Sequence, residues 1–396
     1  MRESSYVFTS ESVTEGHPDK LCDRMSDAIV GRYLVHDPAS RVAAECAVST
    51  GIVFVSLKLR SRAHVDVPLL VRDVIRRTGY PTSELDARTC TVMTSINELS
   101  EQGTPRVHER LDEDAIATMI AENQATLFGF ACTHTAALMP LPIWLAHKLA
   151  RRIALAQKNS LGYLSPDGKT QVAIELRGGR PVRIFGLTII AAPSSSKGAP
   201  RTARLCQDIR DHIVAPVFAD EALRPDEHTS IMINPEGSSN GGPAMHAGLT
   251  GRKTADDTYG AFARDSGAAL SGKDPGRIDR IGAYAARWVA KNVVAAKLAE
   301  ACEVQLSYSI GSTRPVSVHV DTLGTGKMPD EALVRRIEEV FDLRVGAIIK
   351  ELRLRELPRA EHGELFEKLA AYGHVGRPDL ALPWEATNKV DALLGH

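Results

Sequence analysis

The segment Gly16-His17-Pro18-Asp19-Lys20 brings an imidazole, a carboxylate and an ammonium group close together along the chain. Proline suits the first position of a helix, because its missing N–H would have no partner there. The three polar side chains would then surround a helix N-terminus, where outward-facing backbone N–H groups favour anions. The segment indicates either a site for a metal-bound phosphate or a capped helix start with solvated charges.

A glycine-rich loop occurs at residues 267–273, Gly-Ala-Ala-Leu-Ser-Gly-Lys, with the Gly-x4-Gly-Lys spacing of a phosphate-binding loop. Asp274 follows where a P-loop carries Ser or Thr, so the hydroxyl group that would bind magnesium is missing. The loop is therefore weak evidence for a P-loop. It is better explained as a segment whose backbone can approach a polyphosphate closely.

A second carboxylate, Asp279, is predicted in the first turn of another helix, as Asp19 is in the first. Cationic side chains accompany both carboxylates: Lys20, Arg252, Lys253, Lys273 and Arg277. Magnesium is typically held by one or two carboxylates together with substrate phosphates. The combination predicts Mg²⁺ with a polyphosphate, although each stretch alone is also compatible with a solvated surface loop.

The elements that would position these residues follow one repeated order: two strand-like runs and then an amphipathic helix. The predicted runs are 42–48, 52–59 and 67–78; 170–176, 182–192 and 202–217; and 303–310, 316–322 and 330–341. Turns at Thr50-Gly51, Gly178-Gly179 and Gly311-Ser312 separate the paired runs. A spacing of roughly 130 residues predicts three copies of one module in an α+β protein, unless a common order recurs by chance. Two helices, at about 17–36 and 277–302, stand outside the repeat.

Composition limits the function classes. With 396 residues, two or three domains are expected, and a net charge of -1 argues against nucleic acid as a partner. The apolar runs are shorter than the roughly 20 residues that span a bilayer, and the first residues predict no signal peptide. Six scattered cysteines without a CxxC pair predict reduced thiols and a cytoplasmic location.

Several further segments share one family's motifs. They are residues 8–20, 166–172, 241–243, 248–253, 257–260, 271–275, 283–287 and 371–374. In this order they resemble the S-adenosylmethionine synthetase (methionine adenosyltransferase) family over nearly the whole chain. The resemblance implies three similar strand-strand-helix modules about a pseudo-threefold axis. We place these modules at residues 1–108 (N-terminal), 109–236 (central) and 237–396 (C-terminal).

The resemblance also implies a reaction. The sulfur of methionine attacks C5′ of ATP, the whole triphosphate leaves, and it is then hydrolysed to pyrophosphate and phosphate. His17 would stabilise the departing O5′. The phosphates would be held by Lys20, Lys169, Arg252, Lys253 and Lys273. Other expected nucleotide-binding residues are Asp167, Ala269, Asn123, Ser238 and Ser239. Asp19 and Asp279 would each bind Mg²⁺, and Glu45 would bind K⁺. A homodimer with shared active sites is expected, sometimes paired into a dimer of dimers.

This chain departs from the family at the expected second-substrate residues, Lys58, Gln102, His246 and Arg277. Lys58 replaces a glutamate that would hold the methionine ammonium group, and His246 replaces an aspartate. Arg277 replaces a lysine and keeps the charge. At about 4 Å and an effective dielectric of ~20, each changed sign involves roughly 4 kcal/mol. The chain therefore resembles a divergent member of the family.

Four functions remain open at this point. Glu101 or Glu122 could take over the lost acids, and the protein would then form S-adenosylmethionine. Alternatively, it uses a less cationic nucleophile, acts as a non-catalytic regulatory partner of a synthetase, or hydrolyses ATP without an acceptor. The segment Gly237–Asn240 also lacks the arginine and the aromatic residue that clasp adenine in the family.

Overall fold

The computed structural model of the chain describes residues 5–99, 111–194, 198, 200–237 and 241–395. The strands are β1 (Ser5–Val13), β2 (Arg41–Ser49), β3 (Ile52–Arg60), β4 (Thr91–Glu98), β5 (Ala125–Cys132), β6 (Leu164–Arg177), β7 (Arg180–Pro193), β8 (Ser230–Ile233), β9 (Gly248–Leu249), β10 (Ala301–Tyr308) and β11 (Ser317–Asp321). They form three sheets, in the orders β4-β3-β2-β9, β1-β6-β7-β8 and β11-β10-β5. Each sheet is built on one antiparallel hairpin: β2-β3, β6-β7 or β10-β11.

The α-helices are α1 (Pro18–His36), α2 (Val67–Thr78), α3 (Glu113–Thr118), α4 (Leu141–Asn159), α5 (Thr202–Ile209), α6 (Ala215–Phe218), α7 (Thr254–Asp257), α8 (Ile278–Ala295), α9 (Asp330–Val340), α10 (Val345–Glu351), α11 (Leu357–Ala360), α12 (Leu365–Leu369) and α13 (Val390–Leu394). A π-helix at Arg210–Val214 joins α5 to α6, and a 3₁₀ helix covers Pro383–Glu385. No helix in the described part of the chain is long and apolar enough to cross a membrane.

Each hairpin lies between two helices along the chain, so the repeat is confirmed and extended. A long helix precedes each hairpin (α1, α4 or α8), and α2, α5 or α9 follows it. The three long helices pack against the sheets, α1 on β2, α4 on β6 and α8 on β10. Helix α4 was not predicted, although Leu145, Leu149 and Ile153 form its buried face at helical spacing.

The predicted elements agree with the structure except at their ends and at 202–217, where a π-helix divides the predicted helix into α5 and α6. Helix α2 has the predicted bounds, and the three hairpins differ by a few residues, most at the start of β6. The prediction of a helix at about 277–302 was too long, because α8 ends at Ala295. Lys297, two residues later, has a left-handed backbone conformation with φ 57°. A left-handed residue cannot continue a right-handed helix.

Each of the three sheets includes a strand from a distant part of the sequence. Strand β1, at the start of the chain, pairs with β6, while β5 pairs with β10 and β9 pairs with β2. Each hairpin therefore completes its sheet with a strand from a distant segment. The module boundaries at 108 and 236 stay a prediction, and strand pairings join segments on either side of both.

Candidate active site

The N-terminus of α1 is organised by His17 and Asp19. His17 caps the helix, and its Nδ1 accepts a hydrogen bond of 3.2 Å from the backbone N–H of Asp19. The Asp19 Oδ1 atom accepts from the N–H of Leu249 at 3.1 Å and lies 3.6 Å from a guanidinium nitrogen of Arg252. Two segments that are more than 200 residues apart thus meet at one helix end.

This meeting requires a glycine at position 248. A Cβ atom built on Gly248 would lie 2.1 Å from the carbonyl oxygen of Pro18. Strand β9 therefore touches the first turn of α1 with its bare backbone. Arg252 and Lys253 follow the end of β9 after two residues, so this contact brings two cations to the N-terminus of α1.

Helix α1 holds the glycine-rich loops with three carboxylates spaced four residues apart. Asp19, Asp23 and Asp27 share one face of the helix, because four residues make about one turn. Their side chains accept hydrogen bonds from the backbone N–H groups of Leu249, Gly251 and Gly272. The predicted site residues include Asp19 but not Asp23 or Asp27, although their four-residue spacing from Asp19 was a visible signal in the sequence.

His17 belongs to a group of two imidazoles and a carboxylate, in which His17 and Asp167 are buried and His246 is half-buried. The Nε2 atom of His246 is 3.0 Å from Oδ2 of Asp167, which also accepts from the N–H of Gly242 at 2.8 Å. The rings of His17 and His246 lie 4.9 Å apart, centroid to centroid.

The electrostatics of this group follow from burial and from near charges. Burial lowers the pKa of His17 to about 4, and the nearby cation Lys253 acts in the same direction. His17 is therefore neutral at pH 7. Burial alone would raise the pKa of Asp167, but the hydrogen bond from His246 and its other partners hold that pKa below its usual value.

A second group of predicted residues lies at the start of α8. Asp279 accepts hydrogen bonds from the side-chain amide of Asn123 at 3.2 and 3.3 Å, and its Oδ1 is 3.2 Å from Nζ of Lys273. Arg277 occupies the N-cap position of the same helix. Lys273 also forms an isolated β-bridge to Ala43 in β2.

Strand β2 relates the two groups to each other. Strand β9 pairs with Ala47 and Val48, while Lys273 bridges Ala43, four residues back along the same strand. At about 3.3 Å per residue, the two contacts are roughly 13 Å apart. Both predicted groups therefore lie along the same edge of β2, the edge opposite β3.

Lys58 lies next to the second group. It is the β3 partner of Ala43 and projects from the exposed face of the sheet. Glu122, one of the two acids considered as replacements for the lost ones, is ion-paired with Arg41. Arg41 and Ala43 are two residues apart along β2, so their side chains point to the same face of the sheet. Glu122 is thus already engaged by Arg41, while Glu45 lies on the same sheet face, two residues from Ala43 along β2.

Lys20 is fully buried and makes ion pairs with Asp23 and Asp257. Although burial alone would lower the pKa of Lys20, the carboxylates of Asp257 and Asp23 raise it. In this arrangement the Lys20 ammonium group is enclosed behind the helix face. A role in phosphate binding stays a prediction for this residue.

The remaining predicted residues are more dispersed. Lys169 is exposed on β6, Glu45 is exposed on β2, and half-buried Ala269 lies against Gly251. Gln102, Ser238 and Ser239, with the alternative acid Glu101, lie outside the described residues.

Comparisons with known proteins decide the family. Three family models match, described as S-adenosylmethionine synthetase N-terminal domain (residues 5–101), central domain (118–239) and C-terminal domain (240–386). The chain belongs to the S-adenosylmethionine synthetase family. Proteins named S-adenosylmethionine synthase from Gloeobacter violaceus and Acaryochloris marina are each 47% identical over 98% of this chain. The matches cover 97% and 96% of those relatives. A protein of the same name from Prochlorococcus marinus is 47% identical over 99% of this chain and 97% of its own length.

Family membership confirms the resemblance and the expected three-module α+β fold of a synthetase. The matches span all three modules, so the relatives align with both groups of candidate residues. They do not test the role of any single residue, and the assignments at Lys58 and His246 remain predictions.

Proposed function

We propose that this synthetase-family protein is a methionine adenosyltransferase. It would form S-adenosylmethionine from ATP and methionine, release triphosphate, and hydrolyse that triphosphate to pyrophosphate and phosphate. The relatives named S-adenosylmethionine synthase support this function. The single structural observation that carries it is the contact of Asp19, at the N-terminus of α1, with the backbone of Leu249 and the side chain of Arg252.

The chemistry requires little acid–base catalysis, because a thioether sulfur is already nucleophilic. It requires alignment of sulfur with C5′ and stabilisation of about four negative charges on the leaving group. We assign the phosphate contacts to Arg252, Lys253, Lys273 and Lys169. The N-terminus of α1 adds the partial positive charge of the helix dipole.

His17 has the protonation state that the departing O5′ needs. Its Nδ1 accepts from the Asp19 N–H, so the proton of the neutral ring lies on Nε2. An Nε2–H group can donate a hydrogen bond to the developing oxyanion without adding a permanent charge. The charge of Lys253 favours the same neutral state, because it lowers the pKa of His17.

The donor groups fit the expected cations. Asp19 and Asp279 are buried carboxylates with cationic neighbours, and magnesium is usually bound by one or two carboxylates together with substrate phosphates. We assign one Mg²⁺ to each of them, two per site, and K⁺ to Glu45. When bound, these ions would neutralise charge on the phosphates.

A second candidate function concerns the nucleophile. Lys58 projects from the sheet face beside Ala43, and Glu122 is engaged by Arg41. An ammonium group placed beside Lys58 would be repelled. This observation favours a sulfur compound that carries less positive charge than methionine at that position. The remaining second-substrate assignments are Gln102, His246 and Arg277.

We further propose that the protein acts as a homodimer, alone or paired into a dimer of dimers, in the cytoplasm. One face of the β4-β3-β2-β9 sheet exposes a row of apolar side chains: Leu249 (46%), Phe54 (42%) and Met93 (53%). An exposed apolar row is typical of a subunit interface. The same face carries Lys58 and Glu45, so a partner subunit seated there would border the active site.

The test is product analysis with purified protein, ATP, Mg²⁺, K⁺ and a panel of sulfur amino acids and thioether acids. Mass spectrometry should detect S-adenosylmethionine with pyrophosphate and phosphate. A different adenosyl sulfonium compound would support the second candidate function. Adenosine with phosphate and pyrophosphate, but no sulfonium, would indicate a hydrolase. No phosphate release with any acceptor would indicate a regulatory partner and contradict catalysis.

A further inference from the structure

Three side chains in the active site also form a possible metal-binding group, which the proposed reaction does not require. His17, Asp167 and His246 each offer a ligand atom, and these atoms all lie within 4.8 Å of one another. They come from the start of α1, from β6 and from the loop before β9. Two imidazoles with one carboxylate are the ligand set of many transition-metal sites.

The distances are close to those of a metal site. Zinc–ligand bonds of about 2.0–2.2 Å at tetrahedral angles place ligand atoms roughly 3.3 Å apart. His246 Nε2 and Asp167 Oδ2 are 3.0 Å apart, and the two imidazole rings have centroids 4.9 Å apart. Small side-chain movements would therefore complete the coordination.

A second observation points independently to a ligand. Asp167 is buried, and its Oδ1 atom has no hydrogen-bond partner among the described residues. A buried carboxylate oxygen without a partner is costly. The other oxygen, Oδ2, is held by the Gly242 N–H, which fixes the orientation of the carboxylate as outer hydrogen bonds do in metal sites. His246 is 37% exposed and gives a path from solvent.

We propose that His17, Asp167 and His246 bind one divalent transition-metal ion with a preference for imidazole ligands, such as Zn²⁺. Magnesium is excluded as the preferred occupant because it favours oxygen ligands and keeps much of its water. This site is separate in ligand type from the Mg²⁺ positions assigned to Asp19 and Asp279.

Coordination through Nε2 leaves His246 with one ring proton, on Nδ1. A neutral ring would shift its proton from Nε2 to Nδ1, and a protonated ring would release its Nε2 proton to solvent. His17 keeps one proton: coordination through Nε2 would move it to Nδ1, which is 3.8 Å from Oδ2 of Asp19. The His17 Nε2–H group is the donor that the proposed function assigns to O5′. Metal binding would then exclude the reactive nucleotide, a consequence that rests on the proposed function.

The test uses the untagged full-length protein, treated with chelator and free of nucleotide. Titration with Zn²⁺ alone should show one equivalent bound by calorimetry, and Co²⁺ should give the visible absorption bands of an ordered site. His246→Asn should weaken Zn²⁺ binding at least tenfold, about the minimum expected when a ligand is lost. The control His228→Asn, whose side chain is 76% exposed, should leave it unchanged. Equal Zn²⁺ affinity in wild type and His246→Asn would overturn the site.

A second titration separates this proposal from the proposed function. A non-cleavable ATP analogue with Mg²⁺ should raise the apparent Kd for Zn²⁺ at least tenfold in the wild type. Zn²⁺ binding that the analogue does not affect would contradict nucleotide placement at His17 while supporting the metal site. Absence of Zn²⁺ binding, with normal product formation, would overturn the metal site alone.

Discussion

His17 is the residue on which the proposed bond cleavage depends most directly. It lies at a helix N-terminus, it is buried, and its pKa is lowered to about 4 by that burial and by nearby cations. Its neutral ring can therefore donate to O5′ throughout the neutral pH range. A charged imidazole would instead have added to the positive charge of Lys253 and Arg252.

Replacement of this donor should slow the chemical step. His17→Asn removes the imidazole N–H, and loss of one such donor typically lowers kcat by about 10²–10³-fold. Affinity for a non-cleavable ATP analogue should change little, because the interaction strengthens only as charge develops. Steady-state kinetics and calorimetry measure the two effects, with His228→Asn as the surface control. An unchanged kcat would remove His17 from the reaction.

Substitutions at Lys58 test the charge of the proposed second-substrate pocket. Lys58→Glu should lower the KM for methionine at least tenfold, about 1.4 kcal/mol, because repulsion of the ammonium group becomes attraction. Lys58→Gln, which only removes the charge, should give a smaller decrease. Both variants alter an exposed side chain, so stability should be retained. Equal KM values in all three proteins would show that methionine does not bind beside Lys58.

Residue types and spacing singled out His17, Asp19, Arg252, Lys273 and Asp279, which the structure brings into the two candidate groups. They did not reveal that Lys20 is buried, because its partner Asp257 is 237 positions away in sequence. The ion pair of Glu122 with Arg41 was hidden for the same reason. Contacts between distant segments depend on the fold and leave no local pattern.

At the scale of elements, α1 is the structure that assembles the site. Its first turn supplies His17 and Asp19, and the carboxylates of Asp23 and Asp27 bind the backbone of two glycine-rich loops. Asp27 also pairs with fully buried Arg280 from α8. The helix thus fixes both glycine-rich segments relative to one another.

The contact of β9 with α1 can be tested by a single methyl group. Gly248→Ala would place a Cβ atom 2.1 Å from the Pro18 carbonyl oxygen, so β9 must move away from the helix. We expect kcat/KM for ATP to fall at least tenfold, because Arg252 and Lys253 move with it. Gly162→Ala, where a Cβ would meet nothing within 4 Å, should retain full activity. Normal kinetics in the first variant would show that this contact does not position the cations.

The hairpins could be predicted because alternating apolar residues and glycine turns are local signals. Helix α4 was missed even though Pro142 and its apolar spacing were present in the sequence. Its recognition would have completed the repeat, since each hairpin is preceded by a long helix. The pairing of β1, β5 and β9 with distant hairpins could not be predicted, because nothing in the sequences of these strands indicates which strand they pair with.

At the scale of the whole molecule, each sheet takes strands from two segments of the chain, which links the three modules. The exposed apolar row of the β4-β3-β2-β9 sheet lies on the same face as Lys58 and Glu45. Assembly and catalysis should therefore depend on the same surface.

A charge placed in the apolar row should separate the subunits. Phe54→Lys puts an ammonium group at the centre of the row and should shift the protein from dimer to monomer in analytical ultracentrifugation. Activity should fall with it if the sites are shared. Leu155→Lys, at a similarly exposed position on α4, should leave the dimer intact. A dimer that survives Phe54→Lys would contradict an interface on this face.

The most direct test of the account follows the oxygen atom at the bond that breaks. ATP labelled with ¹⁸O at the 5′ bridging position is incubated with the protein, Mg²⁺, K⁺ and methionine, and the products are separated by mass spectrometry. If sulfur attacks C5′ and the triphosphate leaves whole, the label appears in the pyrophosphate and phosphate fraction and S-adenosylmethionine carries none. Label retained on an adenosine product, or the formation of ADP, would contradict cleavage at C5′.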